Sequence, residues 1–305
     1  MKRSLALAAL LLAGSSPLAA QPAQPVAVVA TFSILGDLTA AIGGDDVAVT
    51  NLVGPDGDAH AYEPTPSDVR ALAAADVLVT NGVDFEPWLA ALVSASGFDG
   101  RIVIASEGLE PHAIGEAGHD HGGAESAGEA LDPHLWQDVS NAVTYAATIA
   151  GGLAAADPGN AADYAARGAA YEAELAALDT RIRQLFADIP PERRIVVTSH
   201  DAFGYFGEAY GVTFLAPEGV ATEAEPTATD VAAIIRQIRA DNVTALFVEN
   251  ITDPRIIQQI SAETGVAVGG TLYSDALSAA DGPAATYVAM MEWNAAAIAE
   301  ALAPR

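Results

Sequence analysis

The sequence predicts an α/β fold of two lobes, each with a mostly parallel sheet flanked by helices, joined by one long rigid helix. Two observations support this fold class. Short continuous apolar runs alternate with helical patterns in both halves of the chain, which is typical of parallel strands covered on both faces. Between the halves lies a single helical pattern without interruption, from 161 to 187. A length of 305 residues is ample for two lobes with separate cores.

The strands and helices of the first half follow from its hydrophobic pattern. The run PVAVVAT at 25–31 predicts a buried strand, and further strands are predicted at 47–53, 77–80 and 101–105. Helical spacing of apolar residues predicts the intervening helices at 34–42, 67–75 and 85–94. After Pro191 the pattern repeats, with strands predicted at 194–199, 212–215, 245–249 and 266–272.

The central helix has clear ends and one apolar face. Asp157 to Asn160 supply start signals and Pro190 with Pro191 ends it. Its large apolar residues repeat at helical spacing: Tyr164, Tyr171, Leu175, Leu178, Ile182 and Leu185. We therefore expect a signal peptide at 1–20, an N-terminal lobe at 21–158, a connecting helix at 159–189 and a C-terminal lobe at 190–305.

Composition excludes several classes of function. The chain has 13 Lys and Arg against 40 Asp and Glu, a formal net charge of −27, and no Cys. Disulfides and thiolate metal sites are excluded by the missing Cys. The acidity argues against nucleic-acid binding, which needs clustered basic residues. Cations are the better-matched partners, although acidic surfaces also serve solubility.

The N-terminus has the three-part pattern of a secretory signal peptide. Lys2 and Arg3 precede an apolar run of about ten residues, and small residues follow at Ala19 and Ala20. The run is too short for a membrane span, which needs roughly twenty residues. Since no Cys is available for lipid attachment, we expect a soluble periplasmic protein that is not a lipoprotein.

The segment 107–130 interrupts the alternating pattern. It is rich in Gly, Glu and His, has no basic residue and shows no periodicity, which predicts a flexible surface loop. Three of the six histidines of the chain lie here, at His112, His119 and His121. Their side chains are competent metal ligands, and a weak accessory metal site is one interpretation. A tolerated insertion is the other.

The remaining histidines lie where α/β folds place ligands. His200 directly follows the predicted strand 194–199, and His60 follows the strand 47–53. Open α/β sheets bind ligands at the carboxyl ends of their strands. With His134 and Asp275, these residues could converge in the cleft between the lobes. Three imidazoles and one carboxylate suit a single Zn²⁺ site, whereas harder cations such as Mn²⁺ prefer oxygen ligands.

Four segments resemble the metal-binding solute-binding proteins of bacterial zinc and manganese ABC importers. They are DAHAYEPTPSDVRALAAADVLVTNGVDFEPWL, DPHLWQD, TSHDAFGYF and LYSDAL, in the family's order. The resemblance implies two α/β lobes joined by one helix, and metal ligands at His60, His134, His200 and Asp275. Histidine at position 200, where manganese and iron members tend to have a carboxylate, points to the zinc-specific branch.

This resemblance implies a zinc scavenger rather than an enzyme. The protein would be a monomer that delivers Zn²⁺ to a membrane permease, with a periplasmic metallochaperone as a further partner. Because protons compete for imidazole, we expect zinc affinity to fall below about pH 6.5. A single connecting helix predicts small movements on metal release rather than wide hinge closure.

Three alternatives stay open at this point. The nearest is a manganese- or iron-binding protein of the same importer class. A secreted zinc hydrolase is the second, with Glu63 or Glu249 as the general base, and it would require an open coordination position for water. The third is a surface adhesin.

Overall fold

A computed structural model describes residues 24–303, apart from 115–130, 223 and 225. The predicted signal peptide at 1–20 and two of the loop histidines, His119 and His121, lie outside the described residues. Within them, the predicted α/β class with two parallel sheets is confirmed. No helix among the described residues has the length and apolarity that a bilayer span requires.

The N-terminal lobe is built on four parallel strands in the order β2-β1-β3-β4. The central strands β1 and β3 are continuous apolar runs, and they are buried because helices cover both faces of the sheet. The elements of this lobe are β1 (Val26–Phe32), α1 (Ser33–Gly43), β2 (Val47–Val53), α2 (Pro66–Ala73), β3 (Val77–Thr80), α3 (Leu89–Ser96), β4 (Arg101–Ile104) and α4 (Val139–Ala156).

The C-terminal lobe repeats this plan with four parallel strands in the order β6-β5-β7-β8. It follows the long helix α5 (Ala161–Phe186), which at 1.5 Å per residue is about 39 Å long. The elements of this lobe are β5 (Ile195–Val197), α6 (Gly204–Tyr210), β6 (Thr213–Leu215), α7 (Ala228–Asp241), β7 (Ala245–Glu249), α8 (Arg255–Thr264), β8 (Val268–Leu272) and α9 (Tyr287–Leu302).

The helices differ most from the sequence prediction in three places. The 18-residue helix α4 was not predicted, and α3 begins at Leu89 rather than at 85. On α5 the buried residue at the C-terminal end is Phe186, whereas Leu185 is exposed. Leu185 and Phe186 stand three and four residues after the buried Ile182, and both spacings are compatible with one helix face. The aromatic ring takes the buried position, where it packs against Phe206 and Tyr210 of α6.

The two lobes contact each other directly as well as through α5. Leu277 donates its backbone N–H to Ser33 Oγ at 2.9 Å, and Tyr287 donates to Asp37 Oδ2 at 2.8 Å. Trp136 Nε1 and Gln137 Nε2 both donate to the Ser274 carbonyl, at 3.0 and 2.8 Å. These bonds join α1 and the turn before α4 in the first lobe to the segment 274–287 that follows β8 in the second.

Candidate metal centre

Four polar side chains from both lobes meet in the cleft. His60 lies in the loop after β2, and His134 immediately precedes the turn that leads into α4. His200 and Asp275 each follow a strand of the second sheet, three residues after the ends of β5 and β8. The structure brings together the four residues that the sequence predicted as ligands, with one ligand atom from each within 4.8 Å of the others.

The three imidazoles present the same nitrogen to one carboxylate. Asp275 Oδ2 lies 3.2 Å from Nε2 of both His60 and His200, and Oδ1 lies 3.5 Å from His134 Nε2. The Nε2 atoms of His60 and His134 are 3.4 Å apart. Ligands about 2.05 Å from a tetrahedral zinc ion are separated by about 3.3 Å. These four separations, between 3.2 and 3.5 Å, are close to the edge length of a tetrahedral zinc site.

Burial makes this cluster a poor place for uncompensated charge. His134, His200 and Asp275 are fully buried, and His60 is 5% exposed. Burial raises the pKa of Asp275, but the neighbouring His134 and His200 outweigh that effect and hold it well below its usual value. The carboxylate is thus ionised at neutral pH and attracts a cation to the cluster.

Carboxylates near the cluster raise the pKa values of two of the imidazoles, whereas the imidazoles lower the pKa of Asp275. Burial lowers the pKa of His134, but Asp275 and Asp132 raise it to about 9. For His200, burial again lowers the pKa, and Glu249 with Asp275 raises it well above 6.5. A metal ion that binds here must therefore displace protons from these two rings.

A carboxylate lies behind each of two histidines, on the side away from the cluster. Asp132 Oδ1 is 2.7 Å from His134 Nδ1, and Glu249 Oε2 is 2.7 Å from His200 Nδ1. The Glu249 contact is short, although its angle is not that of a linear hydrogen bond. Carboxylates of this kind fix the orientation and tautomer of metal-binding histidines.

Neither Asp132 nor Glu249 was predicted from the sequence to orient a metal-binding histidine. Asp132 stands two residues before His134 in the motif DPHLW, so its proximity was a readable signal. Glu249 was considered only as a general base for a hydrolase. In the structure its Oε1 accepts from the Ser199 and His200 backbone N–H groups, at 2.8 and 2.9 Å, and its other oxygen faces His200. The other nominated base, Glu63, is exposed.

His60 is oriented by a different set of contacts. Its backbone N–H donates to Asp58 Oδ1 at 2.9 Å, and its ring packs edge-on against Phe85 with centroids 4.7 Å apart. The preceding carbonyl, of Ala59, accepts a 2.8 Å hydrogen bond from Trp88 Nε1. The loop after β2 is therefore held by packing and by its backbone rather than by a buried carboxylate.

Of the loop histidines, His112 is the one among the described residues, and it lies outside the cluster. Its ring stacks on Tyr205 of α6 with centroids 4.4 Å apart, and its Nε2 is 3.3 Å from Glu208 Oε2. Its backbone N–H donates to the Tyr205 hydroxyl, which donates in turn to the Asp132 carbonyl at 3.0 Å. The start of the loop is thereby fastened to the second lobe.

Comparison with known proteins supports the transport interpretation. Residues 28–301 match the model of the family ZnuA, described as zinc-uptake complex component A, periplasmic. The manganese ABC transporter substrate-binding lipoprotein PsaA of Streptococcus pneumoniae is 34% identical over 281 residues, 90% of this chain and 88% of PsaA. The iron ABC transporter substrate-binding lipoprotein MtsA of Streptococcus pyogenes serotype M1 is 34% identical over 282 residues, with the same two coverages.

A solved structure agrees with this result. The periplasmic zinc-binding protein TroA of Treponema pallidum superposes with a TM-score of 0.82 at 31% identity, covering 92% of this chain and 100% of TroA. These relatives differ in the metal that their names give: zinc, manganese and iron. The comparisons therefore support a metal-binding role and leave the zinc-specific branch as a proposal.

The names of the relatives contradict the prediction that the protein is not a lipoprotein. The missing Cys predicted a soluble periplasmic protein that is not a lipoprotein, but PsaA and MtsA are both named lipoproteins. These names, of relatives that match 90% of the chain, contradict that prediction. The comparisons support a protein that faces the outside of the cytoplasmic membrane.

The comparisons with known proteins also distinguish a binding protein from an enzyme. The matched proteins are substrate-binding components of ABC transporters, which work with a membrane permease and its ATPase. The secreted-hydrolase alternative therefore has no support. The chain belongs to the ZnuA family of metal-binding substrate-binding proteins, which serve ABC importers and are not enzymes.

Proposed function

We propose that this protein captures Zn²⁺ outside the cytoplasmic membrane and delivers it to the permease of an ABC importer. The ligands are His60, His134, His200 and Asp275. The observation that supports the assignment is the convergence of three Nε2 atoms on one ionised, fully buried carboxylate. Four protein ligands complete a tetrahedral site without a water molecule, as expected for a binding protein rather than a zinc enzyme.

The donor set favours zinc over manganese or iron. Imidazole suits Zn²⁺, whereas Mn²⁺ prefers carboxylate, carbonyl and water oxygens. Among the described residues, Asp275 alone offers its carboxylate to the cluster, because the neighbouring Asp132 and Glu249 face the Nδ1 atoms on the far side of the rings. The name of TroA also supports zinc, whereas the names of PsaA and MtsA keep manganese or iron as the alternative.

Competition between metals tests this proposal. The metal-free protein is titrated with zinc and manganese in the presence of a chromophoric chelator, for the wild type and for His200→Glu. We expect the wild type to prefer zinc and the variant to shift the ratio of affinities towards manganese, because it exchanges an imidazole for a carboxylate. Gln237→Ala, on the exposed surface of α7, is the control and should leave both affinities unchanged. Preference of the wild type for manganese would contradict the zinc assignment.

A weak second site in the loop stays a prediction. His112, His119 and His121 would collect zinc, or accept it from a periplasmic metallochaperone, before transfer to the main site. At the start of the loop, His112 Nε2 lies 3.3 Å from Glu208 Oε2, and both side chains are of types that can bind zinc. Replacing His119 and His121 with Ala should slow zinc loading in stopped-flow measurements and leave the equilibrium affinity of the main site intact. Equal loading rates would argue against a role for the loop.

We also propose that the chain divides as its sequence pattern predicts and acts as a monomer. The units are an N-terminal lobe at 21–158, a connecting helix at 159–189 and a C-terminal lobe at 190–305. The strands of one sheet precede α5 in the chain and the strands of the other follow it, which supports this division. Light scattering of the zinc-loaded protein would measure its mass, and a dimer would contradict the monomer.

A further inference from the structure

We propose that Glu249 is a positioning residue that holds the His200 ring with Nε2 towards the metal, by assigning a different task to each of its two oxygens. The inference rests on the proposed function, in which His200 is a zinc ligand. It predicts that the two carboxylates behind the histidines, Glu249 and Asp132, respond differently to the same chemical change.

The Glu249 side chain is fully buried and its two oxygens have separate partners. Oε1 accepts from the backbone N–H groups of Ser199 and His200, at 2.8 and 2.9 Å. Oε2 lies 2.7 Å from His200 Nδ1, although the contact is not a straight hydrogen bond. Two acceptors would repel each other at that distance, so Nδ1 carries the hydrogen and Nε2 keeps its lone pair for the metal.

Asp132 makes both of its contacts to His134 through a single oxygen. Oδ1 accepts from the His134 backbone N–H at 3.0 Å and lies 2.7 Å from His134 Nδ1. The side chain of Asp132 is 12% exposed. Its second oxygen has no part in orienting the ring, and it faces Gly204 at the start of α6.

Replacing each carboxylate by its amide separates these two arrangements. In Asp132→Asn, the amide oxygen takes the place of Oδ1 and accepts both hydrogen bonds. In Glu249→Gln, the amide oxygen must face the two backbone N–H groups, because an NH₂ group there would oppose two donors. The NH₂ group of the substituted side chain then points at His200 Nδ1 and donates to it. This forces the hydrogen onto Nε2, where it blocks metal coordination.

The test compares zinc dissociation constants for the wild type, Glu249→Gln and Asp132→Asn by competition with a chelator. Loss of a carboxylate that orients a metal-binding histidine typically costs about 10- to 100-fold in affinity. We expect a loss of roughly that size for Glu249→Gln and a clearly smaller loss for Asp132→Asn, because the amide oxygen of the latter still accepts both hydrogen bonds. Circular dichroism and thermal unfolding of the metal-free proteins check that both variants fold.

A double-variant cycle distinguishes positioning from a merely structural role. If Glu249 acts through His200, then Glu249→Gln adds little further loss once His200 is replaced by Ala. The visible absorption of the Co²⁺-loaded protein gives a second readout, and it should change more in Glu249→Gln than in Asp132→Asn. A third readout needs no variant: long-range ¹H–¹⁵N spectra of the zinc-loaded wild type should show the His200 hydrogen on Nδ1.

The outcomes separate this inference from the proposed function. Unchanged affinity in Glu249→Gln, or equal losses in both amide variants, would overturn the positioning role while leaving zinc binding in place. A His200 hydrogen on Nε2 in the zinc-loaded wild type would also overturn it. If His200→Ala bound zinc as tightly as the wild type, the assignment of His200 as a ligand would fall, and the role of Glu249 with it.

Discussion

His134 and His200 share the Asp275 carboxylate, and this arrangement determines how zinc affinity depends on pH. The pKa of His134 is about 9 and that of His200 is raised well above its usual value. A metal ion that binds here therefore displaces protons throughout the neutral range, and the apparent affinity for zinc should increase as pH rises from about 7 to about 9. The increase should approach about tenfold per pH unit for each proton released. This range lies above the limit of about 6.5 expected from ordinary imidazoles.

Titrations with zinc at pH 6.5, 7.5 and 8.5, with a chelator of known proton affinity, measure this slope. The number of protons released is obtained independently by calorimetry in two buffers with different ionisation enthalpies. A zinc affinity that stays constant between pH 7 and 9 would contradict the prediction.

The metal-free protein should show the opposite trend in stability. A histidine whose pKa is higher in the folded state stabilises the fold below its unfolded pKa of about 6.5, and this contribution is lost as pH rises through the folded value. For His134 that loss occurs between about 6.5 and about 9. Thermal unfolding of the chelator-treated protein should therefore give a melting temperature that falls over this range.

Asp275→Asn provides the matched control for stability. The substitution removes the carboxylate that raises the pKa of both His134 and His200, and it preserves the size of the side chain. We expect a flatter dependence of the melting temperature on pH between about 6.5 and about 9. An equally steep fall in this variant would show that other groups cause the loss of stability.

Sequence reasoning identified the residues that meet in the cleft but not the carboxylates that orient them. His200 and Asp275 follow apolar strands, so their place at the sheet edge was readable. Glu249 stands 49 residues from His200, and only the parallel pairing of β5 with β7 brings them together. Once Val197 is known to pair with Leu246, the ends of both strands fall at one edge. That pairing is a property of the folded sheet and is not encoded in either segment alone.

At the scale of elements, buried strands were easier to predict than Ala-rich helices. Strands β2, β3 and β7 begin and end as predicted, because continuous apolar runs between turn residues are distinctive. Helix α4 was missed because Ala and Gly form much of its surface and give little polar contrast. Its signals were the Asp138 side chain, which caps the first turn by accepting from Ser140 N–H, and the spacing of Tyr145, Ile149 and Leu153.

Two adjacent glycines of α4 give a prediction about packing. A Cβ atom on Gly151 would have open space, whereas one on Gly152 would lie 2.4 Å from Val103 Cγ2 of β4. Gly151→Ala should raise the free energy of unfolding by about 0.5–1 kcal/mol, because alanine loses less backbone entropy in a helix. Gly152→Ala should lower it by about 1–3 kcal/mol through overpacking.

Urea unfolding of the metal-free wild type and both variants measures these differences. The two substitutions are chemically identical and one residue apart, so helix propensity alone predicts the same gain for both. Stabilisation by Gly152→Ala equal to that by Gly151→Ala would show that α4 does not approach β4 closely enough to exclude a methyl group.

At the scale of the whole molecule, acidity and selectivity have different origins. Acidic residues outnumber basic ones by 40 to 13, and such an excess attracts every cation, more weakly as salt rises. The cluster itself contains one carboxylate and three imidazoles, which bind metal in their neutral form. We therefore attribute cation attraction to the overall charge and the choice of metal to the histidines, which a formal charge count ignores.

The contacts between the lobes determine how far the molecule can open on metal release. The connecting helix α5 buries residues along its whole length, from Tyr164 to Phe186. Ser274, next to the proposed ligand Asp275, accepts hydrogen bonds from Trp136 and Gln137, which follow the proposed ligand His134 in the other lobe. A wide rotation between the lobes would break these buried bonds and leave polar groups without partners, at a cost of about 1–3 kcal/mol each. Release by small movements of loops avoids that cost.

Small-angle X-ray scattering tests this expectation with the chelator-treated and zinc-loaded protein. We expect the two radii of gyration to agree and the scattering curves to superpose, since the bonds between Ser274 and the other lobe persist in both states. His200→Ala, measured with and without zinc, controls for effects of the ion on the solution itself. The lobes would be shown to separate if the radius of gyration of the wild type were clearly larger without zinc than with zinc, while His200→Ala showed no such difference. Zinc release would then require the bonds from Trp136 and Gln137 to break.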